Sequence, residues 1–382
     1  MSDQPASELP RAHGGAPGTG RLRSSPEDFR VFEEMGVEPD GTGEHLWLKI
    51  RKRERNTTDV ALDLARLAKL PLRAVGFSGL KDRVAVTEQW FSLHLPGKPD
   101  PAFTEALQDS PTDQDGVTLS DGVSIGDGLT LLAARRHSRK LNRGTHRGNR
   151  FSLVIRDIGG DLAALEARLA AVAREGVPNY FGEQRFGRHG DNFSRARDWL
   201  LGTGDAPRKQ ALRSMWLSAA RSELFNQVLA RRVQEDCWQR VLPGDILQPD
   251  GRRGLFLADD EPEAQARAAA GEVHPTAPMP GAGGMASSGA CAALETAVLA
   301  PHGALIDALA AAGVDAARRA TRLPVAAMTW QLSQQVQDSA PYLVLDMTLP
   351  AGAFATTVLA EVVDTRAQVS PEGNAAHGEH RG

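Results

Sequence analysis

One segment limits the possible folds more than any other. It reads Val75-Gly76-Phe77-Ser78-Gly79-Leu80-Lys81-Asp82-Arg83-Val84-Ala85-Val86-Thr87-Glu88-Gln89-Trp90-Phe91-Ser92-Leu93-His94-Leu95. In its second half Gln89, Phe91, Leu93 and Leu95 alternate with Glu88, Trp90, Ser92 and His94, the period of two of a strand. In its first half Gly76 and Gly79 allow a tight backbone and close approach of another group. Lys81, Asp82 and Arg83 follow, a carboxylate between two cations. A chain with this segment needs a sheet into which a charged, glycine-containing loop runs. Asp82 on such a loop has two readings. It is a solvated surface charge in an inert triplet, or a nucleophile presented by a rigid scaffold.

The flanking sequence alternates strand and helix patterns. Residues 1–20 are polar, contain Gly and Pro, and read as a mobile tail with no apolar leader. Over residues 22–34, Phe29, Val31 and Glu33 share one strand face, and Arg30 and Phe32 the other. Residues 38–43 form a turn cluster, and 44–51 a second strand expected to pair with the first as a hairpin. Residues 57–70 carry an apolar stripe of Val60, Ala61, Leu64, Leu67 and Ala68, with Asn56 or Thr57 as cap and Pro71 as stop. Phe151, Leu153 and Ile155 alternate with Ser152 and Val154, so Asn149 and Phe151 point the same way along a strand. An amide and an aromatic ring beside a basic run are what hydrogen-bonds and stacks a displaced base. A turn Asn and a core Phe are the plainer reading.

Helix patterns follow at residues 161–175, 192–202 and 214–235. Residues 290–322 are Ala-rich and read as helical, broken at Pro301 and Gly313. Strands return around residues 328–336 and 342–349, and the tail after Asp364 is polar. Between the helices, residues 177–192 interleave aromatics, glycines and arginines. Tyr180, Phe181 and Phe186 fit a core there, and Arg185 and Arg188 suit phosphate.

Composition narrows the class. The chain has 382 residues, 41% hydrophobic and 24% charged, enough for a large core or two domains. No apolar run approaches the length of a membrane span, so none is expected. Cys237 and Cys291 are far apart with no CxxC partner, which points to a reducing compartment, the cytoplasm, and to no zinc site. The net charge of −4 hides two basic runs. One is Arg135, Arg136, Arg139, Lys140, Arg143, Arg147 and Arg150, with no acid among them; the other covers residues 49–55 with a single Glu. Local basic stripes on an acidic protein fit a specific polyanion, or are two solvated loops.

Gly79-Leu80-Lys81-Asp82-Arg83-x-Ala85-x-Thr87-x-Gln89-Trp90 strongly resembles the catalytic motif of the TruD family of tRNA pseudouridine synthases. Further resemblances come in the family's order: Pro26-Glu27-Asp28-Phe29 with Glu38-Pro39-Asp40-Gly41-x-Gly43-Glu44-His45; residues 140–155; Pro178-Asn179-Tyr180-Phe181-Gly182-x-Gln184-Arg185-Phe186-Gly187; and Leu349-Pro350-Ala351-Gly352-x-Phe354-Ala355-Thr356. The resemblance implies an α+β pseudouridine-synthase fold: a central, largely antiparallel sheet flanked by helices, with an inserted α/β TRUD domain. It places the catalytic domain at residues 1–175 and 329–364, the insert at 176–328 and a disordered tail at 365–382.

The implied activity is isomerisation of uridine to pseudouridine at tRNA position 13, with tRNA as partner. No cofactor, metal, membrane or protein partner is implied. By the same resemblance Asp82 is the nucleophile, and Phe29, Asn149 and Phe354 occupy substrate-contacting positions. Phe151 is a stacking partner, and Lys81 and Arg83 set the local field; Arg83 stands where the family often has Lys. Two other classes compete. An aspartyl phosphotransferase needs a second Asp two residues after Asp82, where this chain has Val84. A catalytically silent RNA-binding protein does not need the intact Asp82 loop.

Overall fold

The period-two patterns become strands and the 3.6-residue stripes become helices in the computed structural model, which describes residues 9–107, 122–187, 189–258, 261–333 and 340–365. Arg188 and the expected tail from residue 366 onward lie outside the described residues. In chain order come β1 (Gly18–Leu22), β2 (Phe29–Met35), β3 (His45–Arg53), α1 (Thr57–Leu67), β4 (Val75–Phe77), β5 (Val86–His94), β6 (Val123–Gly126), β7 (Leu129–His137) and β8 (His146–Gly160). Then follow α2 (Leu162–Glu175), β9 (Val177–Pro178), α3 (Asn192–Leu200), α4 (Gln210–Gln234), β10 (Ile246–Pro249), β11 (Phe256–Leu257), α5 (Glu261–Ala269), β12 (Val273–Met279), α6 (Gly289–Leu299), α7 (Gly303–Ala311), β13 (Ala317–Ala320) and β14 (Arg322–Leu323). The chain closes with β15 (Ala326–Ser333), β16 (Tyr342–Pro350), α8 (Ala355–Val362) and β17 (Val363–Asp364).

These elements fall into two compact units. Of the described residues, the first holds those of Gly18–Leu162 and Ala326–Gly352 with residues 363–365; the second holds those of Ala163–Val325 and Ala353–Val362 with residues 9–17.

The first unit is one sheet in the order β15-β16-β8-β2-β5-β3-β7-β6, with β1 and β17 joined beside β8, and β4 on β5. Only β2 with β5 and β1 with β17 run parallel among the described pairs. The expected hairpin of β2 with β3 does not form, because β5 lies between them, parallel to β2 and antiparallel to β3. Helix α1 covers this half of the sheet. Its buried Val60, Ala61, Leu64 and Ala65 pack on Leu46, Leu48, Ile50, Phe91 and Leu93. Truncating fully buried Leu64 to Ala should destabilise the unit by about 2–5 kcal/mol.

In the second unit α4 is the central helix. Its Leu224, Phe225, Val228 and Leu229 are buried with Tyr180, Phe181, Phe186, Trp216 and Trp238. Beside it stands the sheet β11-β10-β12-β13. β13 and β14 take the place of the end of the expected Ala-rich helix, since the chain turns after α7 at Gly313, where φ is +77°.

The N-terminal residues from Leu9 are packed rather than tail-like. Pro10 accepts a hydrogen bond from Tyr180 Oη (3.2 Å), and the Glu361 carboxylate accepts from the amides of Ala12 (3.0 Å) and His13 (3.2 Å). One apolar stretch is also longer than expected. Gly289–Ala311 spans 23 residues and by length and composition alone could cross a membrane. Here it is α6 and α7 with a 3₁₀ turn at Pro301 between them, and it buries Cys291, Leu305 and Leu309.

Candidate active site

Sheet topology places the Asp82 loop. β3 runs along one edge of β5, so β2 and β4 share the other: β4 beside Phe91–Leu93, β2 beside Val86–Glu88. The chain leaves the sheet at Phe77, passes Asp82 and re-enters at Val86. Gly76 is required for this path, because a Cβ there would stand 2.4 Å from the Leu141 carbonyl oxygen and 2.6 Å from Ser92 Oγ.

Buried groups fix the loop from below. The Lys81 amide donates to Thr57 Oγ1 (3.0 Å), and that hydroxyl donates to Gln89 Oε1 (2.9 Å). Gln89 Nε2 in turn donates to the Gly79 carbonyl (3.3 Å). Thr57, the first residue of α1, thus serves the loop, and Asn56 is the N-cap residue without a side-chain capping bond. Lys52 Nζ donates to the Asp82 carbonyl at 2.8 Å. The Lys81 ammonium turns down into the sheet, where it pairs with Glu33 at 2.7 Å, with both side chains nearly inaccessible. The other Glu33 oxygen accepts the Trp90 amide (2.9 Å). What remains at the surface is the Asp82 carboxylate, part-exposed, with Arg23 Nη2 2.7 Å from Oδ2.

Arg23 is held in turn. Its guanidinium carbon lies 4.2 Å from the centre of the Phe29 ring, and its backbone is in the left-handed region at φ 60°. Non-glycine residues seldom adopt that conformation, and it recurs at functional sites. The turn behind Arg23 is fastened by Asp28, which accepts two hydrogen bonds from Arg156 (2.9 and 2.7 Å) and one from the Ser25 amide (3.0 Å).

Register sets the floor. Glu33 lies opposite Asn149, and Val31 opposite Phe151, so these four side chains share one face. Val31 is also opposite Thr87, and Thr87 opposite Lys52. Several polar atoms on this floor and at its edge are buried and without a partner among the described residues: Asn149 Oδ1, Thr87 Oγ1, His146 Nδ1 and Arg23 Nε. Buried polar groups are nearly always satisfied, so these atoms have bonding capacity left for a bound group, as do others in the second unit such as Arg185 Nε and Arg232 Nε. Burial pushes the Lys52 ammonium down to about 8, against the opposing pull of the Asp82 carboxylate. Burial and the Lys81 cation likewise hold His146 below its ordinary value.

The residues expected at the site are distributed as follows. Asp82, Lys81, Phe29, Asn149 and Phe151 are together in the first unit. Phe29 and Phe151 are 2% and 6% exposed and meet edge to face at 6.3 Å, so in this structure they show little open ring. Lys81 is turned from Asp82 to Glu33, and Arg83 is exposed. Phe354 belongs to the second unit, half-buried against the aromatic cluster that includes Tyr180 and Phe181. Arg185, expected on phosphate, donates to Ser218 Oγ (2.9 Å) and lies over Phe181.

The two basic runs differ. Over residues 49–55 the charges are engaged at home: Lys49 and Arg51 on Glu88, Arg53 on Glu27 and Glu54, and Arg55 on Asp63. In the other run Arg136 holds Asp100 and nearby carbonyls, and Lys140 holds the Arg73 carbonyl (2.7 Å). Arg135, Arg139, Arg143, Arg147 and Arg150 are exposed, with Arg143 stacked over Phe77 and Arg150 over Phe32. Among the described residues no group of three or more His, Cys, Asp or Glu is placed to hold a metal ion.

Sequence reasoning missed Arg23, Lys52 and His146. For Lys52 a signal existed: Leu46, Leu48, Ile50 and Lys52 are alternate residues of β3, and the first three face the core.

Comparison with known proteins bears on this geometry. The family model for tRNA pseudouridine synthase D (TruD) matches residues 13–195 and 206–362. The tRNA pseudouridine synthase D of Ectopseudomonas mendocina is 44% identical over 355 residues, covering 93% of this chain and 94% of that one. That of Azotobacter vinelandii is 44% identical with the same coverage. A crystal structure assigned to tRNA pseudouridine synthase D from Methanosarcina mazei superposes with a TM-score of 0.71 over 94% of this chain and 96% of that one. At 20% identity, that likeness shows the fold. The chain belongs to the TruD family of tRNA pseudouridine synthases.

Proposed function

We propose that this protein isomerises uridine to pseudouridine at position 13 of tRNA, with Asp82 as the nucleophile. One observation carries the reading. Asp82 extends from a loop tied from below by Thr57, Gln89 and Lys52, and its carboxylate is oriented by Arg23. A reacting group fixed in this way removes much of the entropy of reaching the transition state.

The reaction breaks the bond from ribose C1′ to uracil N1, turns the base, and forms the bond from C1′ to C5. The C5 proton is lost and N1 gains one, so atoms balance without a co-reactant. The Asp82 carboxylate is the anionic partner while the base is detached, attacking the sugar or base or assisting elimination. The uridine must first leave its stack, at a few kcal/mol. Asn149, whose Oδ1 has no partner among the described residues, offers an acceptor to the extruded base, and Phe29 and Phe151 form the apolar wall beside it. Phe354 and Arg83 join this set on the family motif alone. The exposed arginines of residues 135–150 supply phosphate contacts. We place the activity in the cytoplasm, a reading supported by two free, buried cysteines.

The test is to incubate the purified protein with an unmodified tRNA transcript and map pseudouridine chemically. A single new pseudouridine at position 13 is expected. Modification elsewhere, or none, would reject the assignment.

A further inference from the structure

Lys52 is a lysine with no solvent access, and no carboxylate is paired with it at ion-pair distance among the described residues. Burying an ammonium is unfavourable unless something compensates it. Its inward row on β3 is otherwise Leu46, Leu48 and Ile50, all fully buried, so a Leu or Met would fit the pattern. Its flanking neighbours in the sheet are Thr87 on β5 and Leu129 on β7, neither charged. The charged groups facing it come from the loop above, Asp82 and Lys81, and Lys81 is committed to Glu33. The Lys52 ammonium donates its hydrogen bond to the backbone carbonyl of Asp82.

We propose that Lys52 is a positioning residue for the reaction: its buried ammonium holds the Asp82 carbonyl and so fixes where the carboxylate stands. This rests on Asp82 as the nucleophile. Arg23 orients the carboxylate from the solvent side, and Lys52 secures its backbone from the core side. The destabilising burial of a charge is retained at the one place where a loop must not drift. A misplacement of about 1 Å costs on the order of a hundredfold in rate.

Two variants of the full-length protein test this, with Asp82→Asn alongside. Lys52→Met keeps the bulk and removes both charge and donor; Lys52→Gln keeps a donor without the charge. The expected result for Lys52→Met is a kcat about ten- to a hundredfold lower, with KM and tRNA affinity unchanged and Tm equal to or above that of the parent. Lys52→Gln should fall between the two. A core-stabilising role predicts the reverse, a lower Tm with normal kcat at low temperature. That outcome would overturn the proposal, as would failure of both variants to fold. If Asp82→Asn is inactive while Lys52→Met turns over normally, Lys52 has no positioning role and the nucleophile stands. If Asp82→Asn is itself active, the nucleophile assignment has failed instead.

Discussion

In the second unit Arg232 and Asp245 face each other with neither side chain reached by solvent. Cys291 joins them to Glu295, and Glu295 to Arg318 and Ser287. In the first unit Asp82 and Arg23 also form an ion pair, but they are 31% and 27% exposed, and polar atoms around them are without partners among the described residues. The first network is closed to solvent: most of its polar groups point at each other, Arg232 Nε excepted, and burial pushes the Cys291 thiol up to about 12, where it is inert. The second is open on one side. Buried charge whose ionic partner is equally buried specifies structure, whereas charge held rigidly at a half-open edge beside unpaired polar atoms is accessible to a substrate.

Substitutions should separate the two. The largest effect is expected in the closed network. Asp245→Ala leaves Arg232 buried without its partner and should cost about 3–5 kcal/mol of stability. Turnover of the folded fraction at low temperature should stay normal, and thermal melts with single-turnover assays check both halves. Next comes Arg23→Ala at the open site. The pair is part-exposed, so stability should move by less than about 1 kcal/mol. Loss of a charge-assisted hydrogen bond to Asp82, the proposed nucleophile, should nevertheless lower kcat about ten- to a hundredfold. If Arg23→Ala instead melts early and works normally, the two networks are alike and the contrast fails.

A smaller effect concerns the exposed cations. Neutralising Arg139, Arg143 and Arg147 together should reduce the slope of log affinity for tRNA against log salt by roughly 0.7–0.9 for each phosphate that is no longer paired with a cation. Lys140 does not belong in that set, because its ammonium is tied to the Arg73 carbonyl. An unchanged slope would mean that these arginines face only solvent.

The smallest effect is on the pH dependence of stability. Lys52 sits at about 8 in the folded protein against an ordinary 10.5, so the unfolded chain holds more protons between those values. Stability from this group therefore rises with pH over that interval, and its burial cost is present in full below about 8. Lys52→Met should remove that rise. Denaturant titrations of both proteins at pH 8 and pH 10 would show it.

Much of this was legible in the sequence. The alternation over residues 88–95 gave β5, the stripe at Val60, Ala61 and Leu64 gave α1, and one uninterrupted motif gave Asp82 its place on a loop. Local patterns carry such features because a side chain's face follows from its own strand or helix. Pairing is not local. β2 and β3 look like a hairpin until β5, more than 30 residues further along from β3, takes the place between them. Arg23 belongs to a turn with no periodicity, and its pairing with Asp82 spans 59 residues. Lys52 was visible as an inward position, but a lysine there reads as an error in the pattern until the carbonyl above it is seen. Residues 49–55 show the opposite failure: they read as a basic stripe, and each acid that pairs with them lies elsewhere in the sequence, apart from Glu54.

The most direct measurement compares Asp82→Asn with the parent in three assays on one preparation: pseudouridine formed in a single turnover, tRNA affinity and Tm. Asn keeps the size of the side chain and an acceptor for Arg23 but is a far weaker nucleophile. Turnover should fall by about a thousandfold or more, with affinity and Tm close to the parent's. Turnover within about tenfold of the parent would contradict Asp82 as the nucleophile, and loss of the fold would mean that the loop is a structural pair like Arg232 with Asp245.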